Sequence, residues 1–257
     1  MKLRFSKYQG TGNDFIMLDN REGQICLTSE QIVQLCDRKF GVGSDGVILI
    51  EKSDNTLFYM NFFNPDGSQS FCGNGSRCAV KFAMELGIHG DVNAFEAIDG
   101  THEFDFLDEG VKIRMKDVNQ LIQSGSDFFL HTGSPHFVKY VSDPSEIDII
   151  SEARKIRYSD DYKAEGINVN FVSENKDHIT MRTYERGVED ETLSCGTGVT
   201  AAALSYAHRH PGTSRVDVFT RGGKLEVRMN SSGAGQFTDI WLCGPAEFVY
   251  SGVIEIA

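Results

Sequence analysis

The sequence has no CxxC pair, no HExxH and no apolar run of transmembrane length, and basic residues are its minority charge. Each absence excludes something. Without CxxC or HExxH the common zinc arrangements lose their ligand spacing, so no metal is expected. The N-terminal MKLRFSKYQG lacks the apolar stretch of a signal peptide, and no segment approaches the ~20 apolar residues of a membrane span. A cytoplasmic protein with no membrane partner is the expectation. Lys and Arg number 25 against 37 Asp and Glu, a formal charge of −12, which disfavours nonspecific binding to nucleic acid or anionic membranes. A small anionic substrate stays possible, because a pocket needs only local donors. Six cysteines in 257 residues do not make a disulfide scaffold, and a reducing cytosol would keep them as thiols. Cys26, Cys36 and Cys243 sit among apolar or helix-like neighbours and read as small buried hydrophobes.

What is present is an ordinary globular composition, 40% hydrophobic and 24% charged, long enough for one large domain or two of usual size. The chain repeats itself. TGNDFIML from Thr11 returns as TGSPHFVKYV from Thr132, and GVILI from Gly46 as NVNFV from Asn168. LFYMNFFN ending at Asn64 is answered by ITMRTYER ending at Arg186, and FCGNGSRC around Cys72 by LSCGTGVT around Cys195. The four offsets lie between 121 and 123 residues, which argues for two lobes descended from one unit.

Within each half, short alternating or apolar runs separated by turn residues predict strands, and SEQIVQLCDRKFG predicts a helix capped by Ser29 with Gly41 past its end. CAVKFAMEL has helical apolar spacing closed by Gly87, and VTAAALSYA is apolar nearly all round, as a buried helix is. The expected architecture is α/β (α+β): two pseudo-symmetric lobes, each a mixed, mainly antiparallel sheet wrapped around a central helix. The lobes are expected at residues 1–117 and 118–247, with polar residues around Asp117–Ser126 as the junction. FGVGSDGV fits GxGxxG at Gly41, Gly43 and Gly46. It leads from a helix into a strand, the reverse of a dinucleotide fingerprint, and reads as a plain loop.

Cys72 and Cys195 then fall at the N-terminal tips of the two buried helices. The first turn of a helix presents N–H groups without internal partners and the positive end of the macrodipole. That setting favours thiolate, and the following glycines let N–H groups converge on a carboxylate. Two such thiols suit removing a proton from one face of a stereocentre and delivering one to the other. Cys78, inside its helix with Ala201 at the matching place, reads as packing.

KYQGTGNDFIMLDN, FFNPDGSQSFCGNGSRC, HTGSPHFV, GINVNFV and YERGVEDETLSCGTG resemble, in order and spacing, the diaminopimelate epimerases, over essentially the whole chain. The resemblance implies a cofactor-free, PLP-independent two-base interconversion of LL- and meso-diaminopimelate in lysine and peptidoglycan precursor biosynthesis. It also implies a homodimer and a last strand, within residues 248–257, that returns to the first lobe. It makes Cys72 and Cys195 the acid–base pair. Gly73, Asn74, Gly196 and Thr197 become donors to the carboxylate at the reacting carbon. Asn13, Asn64, Asn168, Glu185 and Arg186 become contacts to the rest of the substrate, with His136 and Glu185 supporting catalysis. A substrate with an amine and a carboxylate at each end calls for such a set independently: an anion for ammonium, arginine for carboxylate. Three departures from the family pattern concern the distal end: Ser134 where Asn is common, Gly46 where some members have Gln, and one extra residue between Arg186 and Cys195. The alternatives are a proline racemase-like enzyme, which needs no grip on a second amino-acid end, and a thiol redox or non-catalytic binding protein.

Overall fold

In a computed structural model, which describes residues 1–108 and 110–256, contacts divide the chain into two compact units. One is Met1–Ile113 with Gly244–Ala257, the other Arg114–Cys243. The first runs β1 (Lys2–Gly10), β2 (Asn13–Asp19), α1 (Ser29–Cys36), β3 (Val47–Glu51), β4 (Tyr59–Phe63), α2 (Gly73–Glu85), β5 (Ala94–Ala97), β6 (Gly100–Leu107) and β7 (Gly110–Arg114). The second runs β8 (Leu121–Ser124), β9 (Asp127–His131), β10 (Pro135–Tyr140), α3 (Ile149–Arg157), β11 (Asn168–Glu174), β12 (Ile179–Glu185), β13 (Asp190–Thr192), α4 (Gly196–Arg209), β14 (Arg215–Thr220), β15 (Gly223–Gly233) and β16 (Gln236–Gly244). A final strand, β17 (Glu247–Glu255), pairs antiparallel with β1.

The two units repeat one pairing scheme. β2–β3 and β4–β5 are parallel, as are β10–β11 and β12–β14. In both units the remaining steps are antiparallel, from β1–β2, β3–β4 and β5–β6 to β9–β10, β11–β12 and β14–β15. Parallel neighbours require a crossover, and each crossover here carries a helix. The fold is therefore the mixed, mainly antiparallel α/β arrangement expected from the sequence, built twice.

Side-chain alternation along the strands assigns the faces. On β2 and β3, Ile16, Leu18, Val47 and Leu49 pack with Ile32 and Leu35 of α1. The intervening Phe15, Met17, Ile48 and Ile50 pack with Ala79, Val80 and Ala83 of α2. In the second unit Val169, Phe171 and Tyr184 meet Ile149 and Ala153 of α3, whereas Val138, Val172 and Met181 meet α4. α4 is all small or apolar where it packs (Val199, Ala201, Ala202, Ala203, Leu204) and is buried on nearly every side.

Three local expectations are corrected. The cap of α1 is Thr28, not Ser29: Thr28 and Gln31 form a reciprocal capping box, which satisfies two first-turn donors at once. The helix stops at Asp37, whose carboxylate accepts the N–H groups of Lys39 and Phe40 and holds the chain in a turn. Cys36 and Cys243 are buried, but Cys26 is exposed. Its segment precedes the cap and lies outside the amphipathic helix that buries Cys36. α3 was not singled out by the sequence, because its mean polarity hides a stripe of only two buried residues, Ile149 and Ala153. It occupies the place in the second unit that α1 has in the first.

Candidate active site

Each cysteine is the N-cap of its helix. Cys72 (φ −130°, ψ 113°) caps α2 and Cys195 (φ −117°, ψ 111°) caps α4, both in extended backbone. The Cys72 carbonyl accepts the Ser76 N–H at 2.8 Å, and the Cys195 carbonyl accepts that of Val199 at 2.8 Å. A cysteine at this position aims its sulfur over the first turn, where the helix N–H groups and the dipole favour negative charge. The Cys72 sulfur accepts the Gly75 N–H at 3.4 Å. The Cys195 sulfur lies 3.4 Å from Thr197 Oγ1.

Around the first tip, Asn74 is buried and its side chain joins a chain of amides. Asn74 Nδ2 donates to Asn13 Oδ1 at 2.6 Å, and Asn13 Nδ2 donates to Asp45 Oδ2 at 3.1 Å. Asp45 accepts Arg38, which also forks onto Asp14 with contacts of 3.0 and 2.7 Å. Lys7, itself buried, pairs with Asp14 at 2.8 Å. Burial alone would raise the Asp14 pKa, but hydrogen bonds from Arg38 and Lys7 outweigh it and pull it down to about 2. Asn13 thus reaches the helix tip through Asn74 and is anchored behind by an ion cluster. Asn64, by contrast, is spent within its own turn: its Nδ2 donates to Ser68 Oγ at 3.0 Å and to Ser70 Oγ at 3.1 Å.

The second tip is wired more tightly. β10 and β11 pair in a register that sets His136 opposite Asn168 and Val138 opposite Asn170, so alternate residues of both strands look toward α4. His136 is fully buried. Asn170 Nδ2 donates to the Phe137 carbonyl at 3.0 Å and to His136 Nδ1 at 3.1 Å, while its Oδ1 accepts Thr183 Oγ1 at 2.9 Å. The carbonyl contact fixes the orientation of that amide, so Nδ1 of His136 is an acceptor. Burial is the main cause that lowers the His136 pKa from 6.5 to about 3, with the nearby His131 ring and Arg186 guanidinium adding to it. A neutral imidazole with an acceptor Nδ1 carries its proton on Nε2. Nε2–H then donates to Thr197 Oγ1 at 2.9 Å or Ser134 Oγ at 3.0 Å. When Thr197 receives that proton donor, its own hydroxyl hydrogen is available to the Cys195 sulfur.

Glycine is required at one step of this arrangement. A Cβ on Gly198 would stand 2.6 Å from Asn170 Oδ1, a distance that a buried, fully bonded amide cannot concede. Asn168, also buried, donates to Ser134 Oγ (3.1 Å) and the Pro135 carbonyl (2.9 Å) and accepts the Arg186 N–H (2.9 Å). Its amide fixes the start of the Arg186 turn. The Arg186 side chain is exposed and held at one end by the Glu165 carbonyl at 2.9 Å. Glu185 accepts Thr192 Oγ1 at 2.8 Å. The fully buried Cys78 thiol is pushed up to about 12 by desolvation, so it stays protonated. Among the described residues no group of three or more His, Cys, Asp or Glu side chains is placed to share a metal ion, and no helix is long and apolar enough to cross a membrane.

The sequence matches the family described as diaminopimelate epimerase over residues 5–125 and 128–249. The chain belongs to the diaminopimelate epimerase family. A protein named diaminopimelate epimerase from Flavobacterium psychrophilum is 46% identical, over 98% of this chain and 100% of its own length. One of the same name from Chlorobaculum tepidum is 42% identical, over 96% and 99%. Among solved structures, the phenazine biosynthesis protein of the PhzF family from Bacillus anthracis has a TM-score of 0.75 at 14% identity, covering 100% of both chains. A hydroxyproline epimerase from Agrobacterium vitis has a TM-score of 0.63 at 15% identity, covering 98% of this chain and 91% of its own. At those identities the shared feature is the fold.

In this member of the diaminopimelate epimerase family, several residues of the two tips were not singled out by the sequence. Asn170 is two residues from Asn168 on one strand, and that spacing was the available signal for a shared face. Asp45 lies in the glycine-rich loop set aside as having no nucleotide role; it is a loop, and its carboxylate anchors Asn13. Arg77 is fully buried one turn into α2. Its guanidinium donates to Asn74 Oδ1 at 2.9 Å, Thr11 Oγ1 at 3.0 Å and the Pro245 carbonyl at 3.2 Å, which ties the tip to the β1–β2 turn. Thr11 and Gly12 of that turn have φ of 51° and 89°, the requirement of a two-residue hairpin.

Proposed function

We propose that this chain is a cofactor-independent diaminopimelate epimerase that interconverts the LL and meso isomers by two-base chemistry at Cys72 and Cys195. The observation that carries the reading is the pair of cysteine-capped buried helices, built alike on two units of one topology, in a chain of this family. One sulfur, as thiolate, takes the α-proton; the other, as thiol, gives its proton to the opposite face of the same carbon. The carbon inverts, the thiol and thiolate roles exchange, and the reverse turnover restores them. Charge that develops on the α-carboxylate as the proton leaves meets first-turn N–H groups at Gly73, Asn74, Gly196 and Thr197, donors that need no reorganisation.

The distal end falls to Arg186 for carboxylate and Glu185 for ammonium, with Asn13, Asn64 and Asn168 as fixed amides or as supports for the segments that reach the substrate. His136 acts through Thr197: a neutral, buried imidazole donating from Nε2 leaves the threonine hydroxyl free to stabilise sulfur as thiolate or to accept from it as thiol. The enzyme works in the cytoplasm, where thiol reductants keep both cysteines reduced. It works as a homodimer, for which β17 offers Phe248, Val249, Tyr250 and Val253, each roughly half exposed, on a strand that pairs with β1 along one side. Sedimentation should give the mass of two chains, and Val249→Lys with Val253→Lys should shift it to one; a wild-type monomer at assay concentration would end that part of the reading.

The deciding experiment uses reduced protein and LL-diaminopimelate in heavy water, without added PLP or metal. Deuterium should enter one α-carbon as the meso isomer appears. Incorporation into proline or hydroxyproline, with none into diaminopimelate, would assign the chain to the racemases that share its fold.

A further inference from the structure

The turn that joins β12 to β13 carries Arg186, and it is held by a residue with no role in the reading above. Glu189 has φ +59°, a left-handed conformation that disfavours any residue with a Cβ. Its own N–H returns to the Glu185 carbonyl at 2.8 Å, closing the turn. Its carboxylate collects five donors. Oε1 accepts Arg157 Nη2 at 2.8 Å, Arg157 Nε at 3.2 Å and the Gly187 N–H at 3.2 Å. Oε2 accepts the hydroxyls of Tyr158 at 3.0 Å and Tyr184 at 3.1 Å. Burial disfavours the charged form, but these hydrogen bonds outweigh it and the net pKa is lowered. The strained backbone is offset by an ionised, fully engaged side chain.

Two arginines share one glycine beneath this turn. A Cβ on Gly166 would lie 2.7 Å from Arg186 Cδ and 2.8 Å from Arg157 Cζ. The two cationic side chains therefore run side by side, and only one of them is neutralised by Glu189. Among the described residues Arg186 makes one side-chain hydrogen bond, to the Glu165 carbonyl, and it stands exposed. An unneutralised Arg157 would repel Arg186 and offer a carboxylate a second, misplaced fork.

We propose that Glu189 is a positioning residue for recognition of the substrate's distal carboxylate: it sequesters Arg157 on α3 and holds the turn, so that Arg186 alone presents its guanidinium. The inference rests on the assignment of Arg186 to that carboxylate. Selectivity for a ligand with a second amino-acid end then depends on a charge that touches no substrate atom.

The test compares steady-state epimerisation of LL-diaminopimelate by the wild type, Glu189→Gln, Glu189→Gly and the double variant Glu189→Gln/Arg157→Met. Glu189→Gln should raise KM about tenfold with kcat changed less than about threefold. Glu189→Gly, which relieves the backbone but also lacks the carboxylate, should show the same rise. The double variant removes the competing cation as well and should return KM to within about threefold of wild type. A merely structural turn would lose kcat and would be damaged further by the second substitution, which overturns the inference. So would an unchanged KM in Glu189→Gln beside an active wild type. A wild type that does not turn over diaminopimelate overturns the functional reading, and the inference falls with it.

Discussion

Cys72→Ala and Cys195→Ala should each lower kcat/KM for epimerisation by at least about a thousandfold, with little loss of folding stability. Proton transfer by a positioned group contributes about 10² to 10⁴ in rate, and inversion needs both a base on one face and an acid on the other. In the proposed mechanism each thiol serves one face of the carbon, so neither can substitute for its counterpart. The proposed two-base chemistry makes a finer demand. A variant with one thiol can still remove a proton and return one to the same face, so it should exchange the α-hydrogen of one isomer for deuterium without inverting it. The complementary variant should do so for the other isomer. Folding should hardly notice, since the first-turn contact of the Cys72 sulfur is a long one, 3.4 Å to the Gly75 N–H. Wild-type rates of epimerisation in either variant would sink the mechanism, whereas loss of activity together with loss of the folded signal would have to be settled by Cys→Ser.

Acid should unfold this protein through His136. Its pKa is 6.5 when unfolded and about 3 when folded, so between those values the unfolded chain binds a proton that the native state refuses. Stability is complete above pH 6.5 and falls as pH drops toward 3, with a slope approaching about 1.4 kcal/mol per pH unit. By pH 4.5 the loss is about 3 kcal/mol, a large part of the ~5–15 kcal/mol that holds a typical domain folded. Asp14 acts in the same direction but lower, because its folded pKa is about 2 against 3.8. Between pH 6.5 and about 5 the loss therefore belongs chiefly to the histidine, and below that Glu189 and Glu191, both lowered from 4.5, add to it. Denaturant titrations across that upper range should show the slope in the wild type and a flatter curve in His136→Gln. A wild-type stability that does not change between pH 7 and 4.5 would mean that His136 titrates normally and that the tautomer assigned to it is wrong.

Both expectations depend on features of very different visibility. The strands were legible because alternation has a period of two and local turn residues punctuate it; GVILI and NVNFV became β3 and β11 as expected. The tip positions of Cys72 and Cys195 were legible because an apolar helical pattern begins directly after each. Thr28 as the cap of α1 was missed because Thr28 and Ser29 are chemically equivalent caps, and only the reciprocal bond to Gln31 separates them. Cys26 looked like Cys36 by its neighbours; exposure depends on whether the chain there is inside or outside a helix.

The amino-acid sequence by itself determined the duplicated pattern, the mixed sheets, the two buried helices with a thiol at each start, and the family. These follow from local propensity, periodicity and spacing, which every stretch carries within itself. Only the tertiary structure decided that Asn170 fixes the tautomer of His136, that Asp45 anchors Asn13, and that Glu189 claims Arg157 and leaves Arg186 exposed. Each of those contacts joins residues that are between 32 and 34 apart in the chain. They exist because strand register and helix packing bring the partners to hydrogen-bond distance, and no local pattern encodes which partner a buried polar group will find.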